Sequence, residues 1–276
     1  MKYCFVRWPE GKLKAVTMSY DDASRQDIPL AQLMNRYGIK GTFNIIGVSV
    51  DRHLNGNLTL DEMRELYFPL GHDVAVHGYD HKAQTIVSPK DGIEDVLECR
   101  RALENAFGRI ITGYAYPDRG QTSEQIKSYL RLLGIKWART VNRTGCFSIP
   151  TDWLEWCATC KHDDPLMLKY AEDFLAAEPE KNYIAYHDSL LYFVWGHSFE
   201  LSDELWKRVE ELYALIGGRD DIWYATNNEI FEYVEAFNSL VFSLDNRLVY
   251  NPTLKKLWFE ADGRLRSIEP GETLTL

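Results

Sequence analysis

Short apolar segments alternate with segments of helical periodicity along most of the chain. Leu30, Leu33, Met34 and Tyr37 stand at positions i, i+3, i+4 and i+7, which predicts an amphipathic helix that ends at Gly38. Further helices are predicted from Thr59, over 93–107, over 121–133, from Ser202 and over 230–237. Strands are predicted at 14–20, 41–46, 73–76, 112–116, 135–138, 191–195 and 221–225. This alternation is typical of βαβ units and a largely parallel sheet.

The pattern changes from Ser239 onward, where short β-like runs are separated by turn pairs such as Asp-Asn, Asn-Pro and Asp-Gly. We therefore expect one large α/β domain over 1–238 and a short β-rich extension over 239–276 that packs on it. The stretch between the strand at 135–138 and the strand at 191–195 is predicted to be irregular.

Polar residues follow several predicted strands at their carboxyl ends. Asp21 and Asp22 follow the first strand, His77 the third, and His197 a late one. In parallel sheets and barrels the loops at that edge converge, so catalytic side chains collect there. We expect the chemistry of the protein at this edge.

His77 and His81 are four residues apart, close enough for both rings to bind one cation as neutral nitrogen donors. The alternative is a chance spacing in which the two rings cap neighbouring carbonyl groups. The Asp21-Asp22 pair favours the metal site, because neighbouring side chains on a strand point to different sides. One carboxylate can then bind the metal while the other acts as a base, leaving open positions for water and substrate.

The amino-acid composition and net charge of the chain argue against several classes of partner. Hydrophobic residues make up 45% and charged residues 26%, as in ordinary globular proteins. The net charge of −10 without a basic block argues against nucleic acid as a partner. No apolar run approaches the ~20 residues needed to cross a bilayer, so no membrane partner is expected either. An odd number of cysteines, five, and an N-terminus without a signal pattern favour reduced thiols and the cytoplasm, unless a signal was trimmed.

Four segments in order resemble the polysaccharide deacetylase family of carbohydrate esterases. They are TMSYDDA (17–23), HGYDH (77–81), YAYPDRG (114–120) and WGHS (195–198). The resemblance implies an α/β fold, a distorted (β/α) barrel with fewer than eight full units. It also implies one divalent metal ion, with zinc favoured, and hydrolysis of N-acetyl groups on a carbohydrate. It predicts no particular oligomeric state.

Carried over by position, the resemblance makes Asp22, His77 and His81 the metal ligands. Asp21 becomes the general base for the attacking water, and His197 the acid that protonates the leaving amine. Tyr116 and Asp118 of the third segment would contact the substrate and the oxyanion. The backbone N–H of Asp118 is the expected oxyanion donor, because Pro117 has no N–H.

Two departures from the family pattern stand out. The arginine that commonly precedes the proline of the third segment is missing, and Arg139 is the favoured replacement, ahead of Arg119, Tyr114 or no substitute. The family's fourth motif is not recognisable. In its place Trp153 and Trp156 either wall the acetyl pocket or pack in the core.

The predicted function is therefore metal-dependent removal of N-acetyl groups from a sugar, oligosaccharide or polysaccharide. Two alternatives stay open: a catalytically inactive carbohydrate-binding protein on the same scaffold, and a hydrolase of another small amide. A second zinc site at Cys157, Cys160 and His162 is disfavoured, because the motif lacks a matching second half.

Overall fold

The computed structural model describes residues 4–52, 54–178 and 189–276. Within them the strands are, in chain order, β1 (Cys4–Arg7), β2 (Lys14–Asp21), β3 (Gly41–Ile45), β4 (Asp73–Val76), β5 (Gly113–Ala115), β6 (Trp137–Arg143), β7 (Trp156–Ala158), β8 (Cys160–Lys161), β9 (Leu190–His197), β10 (Ile222–Tyr224), β11 (Val241–Phe242), β12 (Leu248–Tyr250), β13 (Leu257–Ala261), β14 (Arg264–Ile268) and β15 (Thr273–Thr275). The helices are α1 (Asp27–Arg36), α2 (Val48–Asp51), α3 (Leu60–Leu66), α4 (Pro89–Phe107), α5 (Glu124–Leu132), α6 (Met167–Ala176), α7 (Asp203–Ile216) and α8 (Asn227–Asn238).

The central sheet closes into a parallel barrel. Its strands are hydrogen-bonded in the order β7-β6-β5-β4-β3-β2-β9-β8, and β10 pairs with the first residues of β2. Only Thr159 separates β7 from β8, and its N–H donates to the carbonyl of Phe193 at 2.8 Å. Because this one segment pairs with β6 on one side and β9 on the other, it joins the two ends of the sheet. The expected (β/α) barrel with fewer than eight units is confirmed.

Strand β2 shows how the barrel orients the site. All eight of its residues are buried, and they alternate between two surroundings. Val16, Met18 and Tyr20 pack in the core beneath the helices, whereas Ala15 belongs to the barrel interior. Asp21 shares the inward side with Ala15, since strand residues two apart point the same way. The strand therefore delivers the Asp21 carboxylate into the mouth of the barrel.

Local signals in the sequence set the helix boundaries. Thr59 caps α3 in a reciprocal capping box with Glu62, and Ser88 caps α4. Gly108 ends α4 with a left-handed backbone, φ 63°. No helix among the described residues combines the length and the apolar character needed to cross a bilayer.

The opposite end of the barrel is closed by α8. Asn227 at its start accepts a hydrogen bond from Thr17 and donates its N–H to Thr42, both inside the barrel. The neighbouring Asn228 accepts a hydrogen bond from Trp137 Nε1 at 3.3 Å. Because α8 covers the amino ends of the strands, the open mouth of the barrel lies at their carboxyl ends.

The chain termini meet in small antiparallel sheets. β1 pairs with β13 in the order β1-β13-β14, and β11, β12 and β15 form a second sheet. The sequence pattern did not predict β1, and the expected division at residue 238 assigns it to the large domain. Trp8 Nε1 donates to the Leu190 carbonyl at 3.0 Å, and Tyr233 of α8 donates to the Arg7 carbonyl. The small sheets and the barrel interior share one apolar core.

The stretch expected to be irregular is partly ordered. β6 begins at Trp137 rather than at 135 and continues to Arg143, and β7, β8 and α6 follow it. Cys157 and Cys160 lie in β7 and β8, where Cys157 Sγ lies 3.3 Å from Thr140 Oγ1 and Cys160 is buried. The strands were missed because they are two or three residues long, too short to show an alternating pattern.

Candidate active site

Five polar residues predicted from the sequence come together at the mouth of the barrel. Asp21 ends β2 and Asp22 follows it, His77 follows β4, His81 comes four residues later, and His197 ends β9. The carboxylate Oδ1 of Asp22 lies 3.4 Å from His77 Nε2 and 3.7 Å from His81 Nε2. His197 Nε2 lies 3.6 Å from Asp21 Oδ2 and 3.8 Å from Asp22 Oδ2.

Asp22, His77 and His81 have the chemistry and spacing of a metal site. Their candidate ligand atoms all lie within 4.8 Å of one another. Asp22 Oδ1 and His77 Nε2 are buried and, among the described residues, have no hydrogen-bond partner. Buried polar atoms without a partner cost free energy, so two of them facing each other fit a pair of ligands for one cation.

The tautomer of His77 is set by its second nitrogen. Nδ1 lies 2.9 Å from the carbonyl oxygen of Ala115, so it carries the proton and donates it. Nε2 is then left with a free lone pair toward Asp22. Burial lowers the pKa of His77 despite the neighbouring Asp21 and Asp22, which keeps the ring neutral, as a metal ligand must be.

Strained backbone carries two of these three residues. Asp22 has φ 78° and His81 has φ 56°, both in the left-handed region that side chains other than glycine rarely adopt. Such a residue costs on the order of 1–3 kcal/mol, and the surroundings must hold it in place. Asn57 Nδ2 donates to the Asp22 carbonyl at 2.8 Å, and the Asp22 N–H donates to the Asn44 carbonyl at 2.9 Å.

The structure places Arg139 against Asp21. Its Nη2 lies 2.5 Å from Oδ1 and 2.6 Å from Oδ2, and Asn44 Nδ2 donates to Oδ1 at 2.7 Å. The guanidinium also stacks on Trp195, 4.6 Å from the ring centroid. One nitrogen contacts both oxygens, so the pair differs from the two-nitrogen fork that arginine often forms with a carboxylate. Arg139 lies across the barrel on β6, and only Nη2 reaches the carboxylate.

Charge decides the protonation state of Asp21. Burial by itself raises the pKa of this carboxyl, but Arg139, His77 and His197 outweigh it and lower the pKa to about 2. Asp21 is therefore ionised near neutral pH, as a base must be.

His197 is held by a carboxylate that the sequence reasoning missed. Glu200 Oε2 lies 3.2 Å from His197 Nδ1, 3.2 Å from His162 Nε2 and 2.8 Å from Lys161 Nζ. Burial lowers the pKa of His197, but Glu200, Asp21 and Asp22 together raise it. The imidazole is therefore suited to deliver a proton.

Glu200 is itself kept ionised. Burial raises its pKa, yet the contacts with His162, His197 and Lys161 hold that pKa well below the usual range. The buried His162 ring rests on Gly196, where an added Cβ would lie 2.4 Å from it. The only sequence signal for Glu200 was a carboxylate three residues after the histidine.

The remaining predicted site residues lie in different surroundings. Asp118 has φ 55° on the exposed turn after β5, and its N–H donates to no other group in the described part of the chain. Tyr116 is buried, with its hydroxyl donating to the Leu154 carbonyl at 2.8 Å. It supports the loop rather than lining the mouth.

The two tryptophans fit the core alternative. Trp156 is buried against Trp137, and Trp153 packs edge-on to Trp156 and to Phe231 of α8. The aromatic side chain beneath the site is Trp195, which the sequence reasoning did not single out for this position.

Residues 9–138 match the family model described as polysaccharide deacetylase. This match spans 130 of the 276 residues, so the chain is similar to the polysaccharide deacetylase family over just under half of its length. Arg139, His197 and Glu200 lie beyond the matched residues, so their place in the site rests on the geometry.

The chain is similar to a curated protein and to several solved structures. The peptidoglycan-N-acetylglucosamine deacetylase PgdA of Listeria monocytogenes is 26% identical over 127 residues, which is 45% of this chain and about a quarter (26%) of the relative. A Mycobacterium smegmatis protein assigned to the polysaccharide deacetylases aligns with TM-score 0.62 and 19% identity, over 84% of this chain and 94% of the other. PuuE allantoinase aligns with the same TM-score at 12% identity, over 82% and 91%. These structures share the fold of the chain.

Proposed function

We propose that the protein is a metal-dependent hydrolase that removes N-acetyl groups from a sugar, oligosaccharide or polysaccharide. The observation that carries this proposal is the arrangement at the barrel mouth. Three residues whose candidate ligand atoms lie within 4.8 Å of one another stand beside a separate pair, a carboxylate held ionised and a histidine whose pKa is raised. Hydrolysis of an amide needs both a base and an acid, whereas binding a sugar needs neither.

Asp22, His77 and His81 would hold the cation. A bound divalent cation supplies Lewis-acid chemistry, activating water and polarising the acyl carbonyl. A ligand set of two imidazoles and one carboxylate suits zinc, which we propose as the ion.

Asp21 and His197 divide the proton transfers between them. Asp21 takes a proton from the attacking water, whose oxygen bonds to the acetyl carbon. His197 gives a proton to the amide nitrogen as the C–N bond breaks, and the products are acetate and the free amine. The Asp118 N–H, which has no acceptor among the described residues, donates to the carbonyl oxygen as charge develops on it.

A carbohydrate is proposed as the substrate on two grounds. The family model that matches residues 9–138 is that of the polysaccharide deacetylases, and the name of the Listeria relative specifies N-acetylglucosamine in peptidoglycan. Allantoinase shares the fold, so the barrel alone does not choose the substrate.

The test is acetate release from N-acetylglucosamine oligomers by protein stripped with a chelator and reloaded with zinc. We expect activity only after reloading, with one zinc per chain by elemental analysis. Asp22→Ala should lose both metal and activity, whereas Asp21→Asn and His197→Ala should keep the metal and lose ~10²-fold or more in kcat. Asp61→Asn, at an exposed position, is the matched control and should behave like wild type.

Three outcomes would contradict the proposal. Full activity in metal-free protein would rule out the cation mechanism. Tight oligomer binding without acetate release would favour the inactive binding protein, and hydrolysis of allantoin without release of acetate from sugars would favour another amide.

A further inference from the structure

A large apolar side chain stands exposed beside the acid of the site. Phe199 is 54% exposed, and its ring centroid lies 5.2 Å from that of His197, with the planes 48° apart. The His197 side chain is only 19% exposed, so Phe199 is the more accessible of the two rings. Scattered exposed apolar residues are ordinary on protein surfaces, but this one lies against a reacting group.

Both neighbours of Phe199 in the chain are anchored by side-chain contacts. Ser198 is buried and its hydroxyl donates to the buried Asp27 at 2.5 Å, while Asp27 also accepts from Tyr67 at 2.8 Å. On the other side, Glu200 is bound by Lys161 and His162. Because the backbone on both sides of Phe199 is held in place, the segment that carries the ring needs little further ordering when a ligand binds, which favours binding.

Charged groups that could bind the hydroxyls of a sugar are linked to this turn through Glu200. Lys161 Nζ contacts Glu200 at 2.8 Å and Asp163 at 3.1 Å, and Arg143 lies 3.7 Å from Asp163. Asp163 and Arg143 are both partly exposed. A pyranose ring has an apolar C–H face and a rim of hydroxyls, so an exposed aromatic ring near partly exposed charges matches its chemistry.

We propose that Phe199 is a stacking platform for a sugar ring of the substrate, next to the ring that carries the scissile amide. The inference rests on the proposed function, because His197 must face the amide nitrogen to protonate it. The sugar bearing that nitrogen then occupies the position beside His197, and the neighbouring sugar extends outward over Phe199.

The experiment compares Phe199→Ala and Phe199→Tyr with wild type on the N-acetylglucosamine monomer and on its oligomers. In Phe199→Ala, we expect KM for oligomers to rise about tenfold, with kcat within a factor of two and the monomer unaffected. Phe199→Tyr should restore the wild-type KM because it keeps the aromatic face. Ile110→Ala, which truncates an apolar side chain 83% exposed before β5, is the matched control.

The outcomes separate this inference from the proposed function. Acetate release with an unchanged oligomer KM in Phe199→Ala would overturn the platform and leave the deacetylase function standing. Equal losses on monomer and oligomer would also overturn it, because Phe199 would then act through His197. If wild type released no acetate from any sugar, the proposed function would fail and the platform with it.

Discussion

Two aspartates that are adjacent in the chain have opposite surroundings at the residue scale. Asp21 is buried and hydrogen-bonded by Arg139 and Asn44, whereas Asp22 turns into the left-handed region and faces the histidines. The sequence predicted the division of roles, because a strand end sends successive side chains to different sides. It could not predict Asn44 or Glu200, which belong to no recognisable spacing and are selected only by the closed barrel.

Arg139 is the residue on which the ionisation of Asp21 depends most. In Arg139→Met the charge is gone, and burial then raises the pKa of Asp21. The base must be ionised, so activity disappears as pH falls through that pKa. We expect the fall of kcat/KM on the acidic side of the pH profile to move to higher pH, into the assay range. Wild type, in which the pKa of Asp21 is about 2, shows no such fall there.

Arg139→Lys is the matched comparison for this pH profile. Lysine keeps the charge and so keeps the acid limb low, but it has no planar face to stack on Trp195. We expect a fall in kcat of about tenfold or more without a shift of the limb. A wild-type pH profile in Arg139→Met would show that Asp21 does not depend on this guanidinium.

At the scale of elements, prediction succeeded where the pattern was long. The predicted α4 and α7 lie close to their observed positions, because each has several periodic residues and a capping or terminating signal, and the eight-residue β2 was also placed correctly. β1 was missed because its partner, β13, lies more than 200 residues away in the chain. The pairing joins residues that are far apart in the chain, so no local sequence pattern can predict it.

The loop between His77 and His81 depends on α4. Asp95 is buried, and its carboxylate accepts the Asp80 N–H at 2.8 Å and Gln84 Nε2 at 3.3 Å. Its backbone carbonyl accepts the Tyr79 N–H at 3.0 Å. Gly78 packs so closely that an added Cβ would lie 2.5 Å from Asp95 Oδ2. Asp95 thus holds the turn that brings His81 to His77.

Replacing this carboxylate should weaken metal binding. In Asp95→Asn an amide N–H replaces one acceptor, so the loop loses a hydrogen bond and His81 is less well placed. We expect the zinc dissociation constant, measured by calorimetric titration, to rise about 10–100-fold. Glu98→Gln, at an exposed position on the same helix, should keep the wild-type affinity. An unchanged zinc affinity in Asp95→Asn would show that Asp95 does not position His81 for metal binding.

At the scale of the whole molecule, the barrel is open at one end and closed at the other. The mouth holds the charged site, and α8 with the terminal sheets fills the base with apolar and aromatic side chains. The family resemblance implied the barrel, but not that one short segment, β7 with β8, completes it. That closure follows from pairings across the whole sheet.

A buried histidine near the base ties the stability of this assembly to pH. His72 is 3% exposed, its Nδ1 accepts the Gly41 N–H at 3.2 Å, and its ring lies edge-on to Phe43. Burial lowers the pKa of His72 from 6.5 to about 4. Between these two values the unfolded chain binds a proton that the folded chain does not. The stability contributed by the neutral ring is therefore present above pH 6.5 and lost as pH falls toward 4.

His72→Asn should remove this dependence while keeping an acceptor for the Gly41 N–H. We expect the wild-type free energy of unfolding to fall by up to about 3 kcal/mol more than that of the variant over this range. Denaturant unfolding at a series of pH values measures both, with Glu98→Gln as a control that should follow wild type. Other groups titrate in the same range, so the difference between the two curves is the decisive quantity. Parallel curves for wild type and His72→Asn would mean that the ring is protonated in the folded protein as readily as in the unfolded chain.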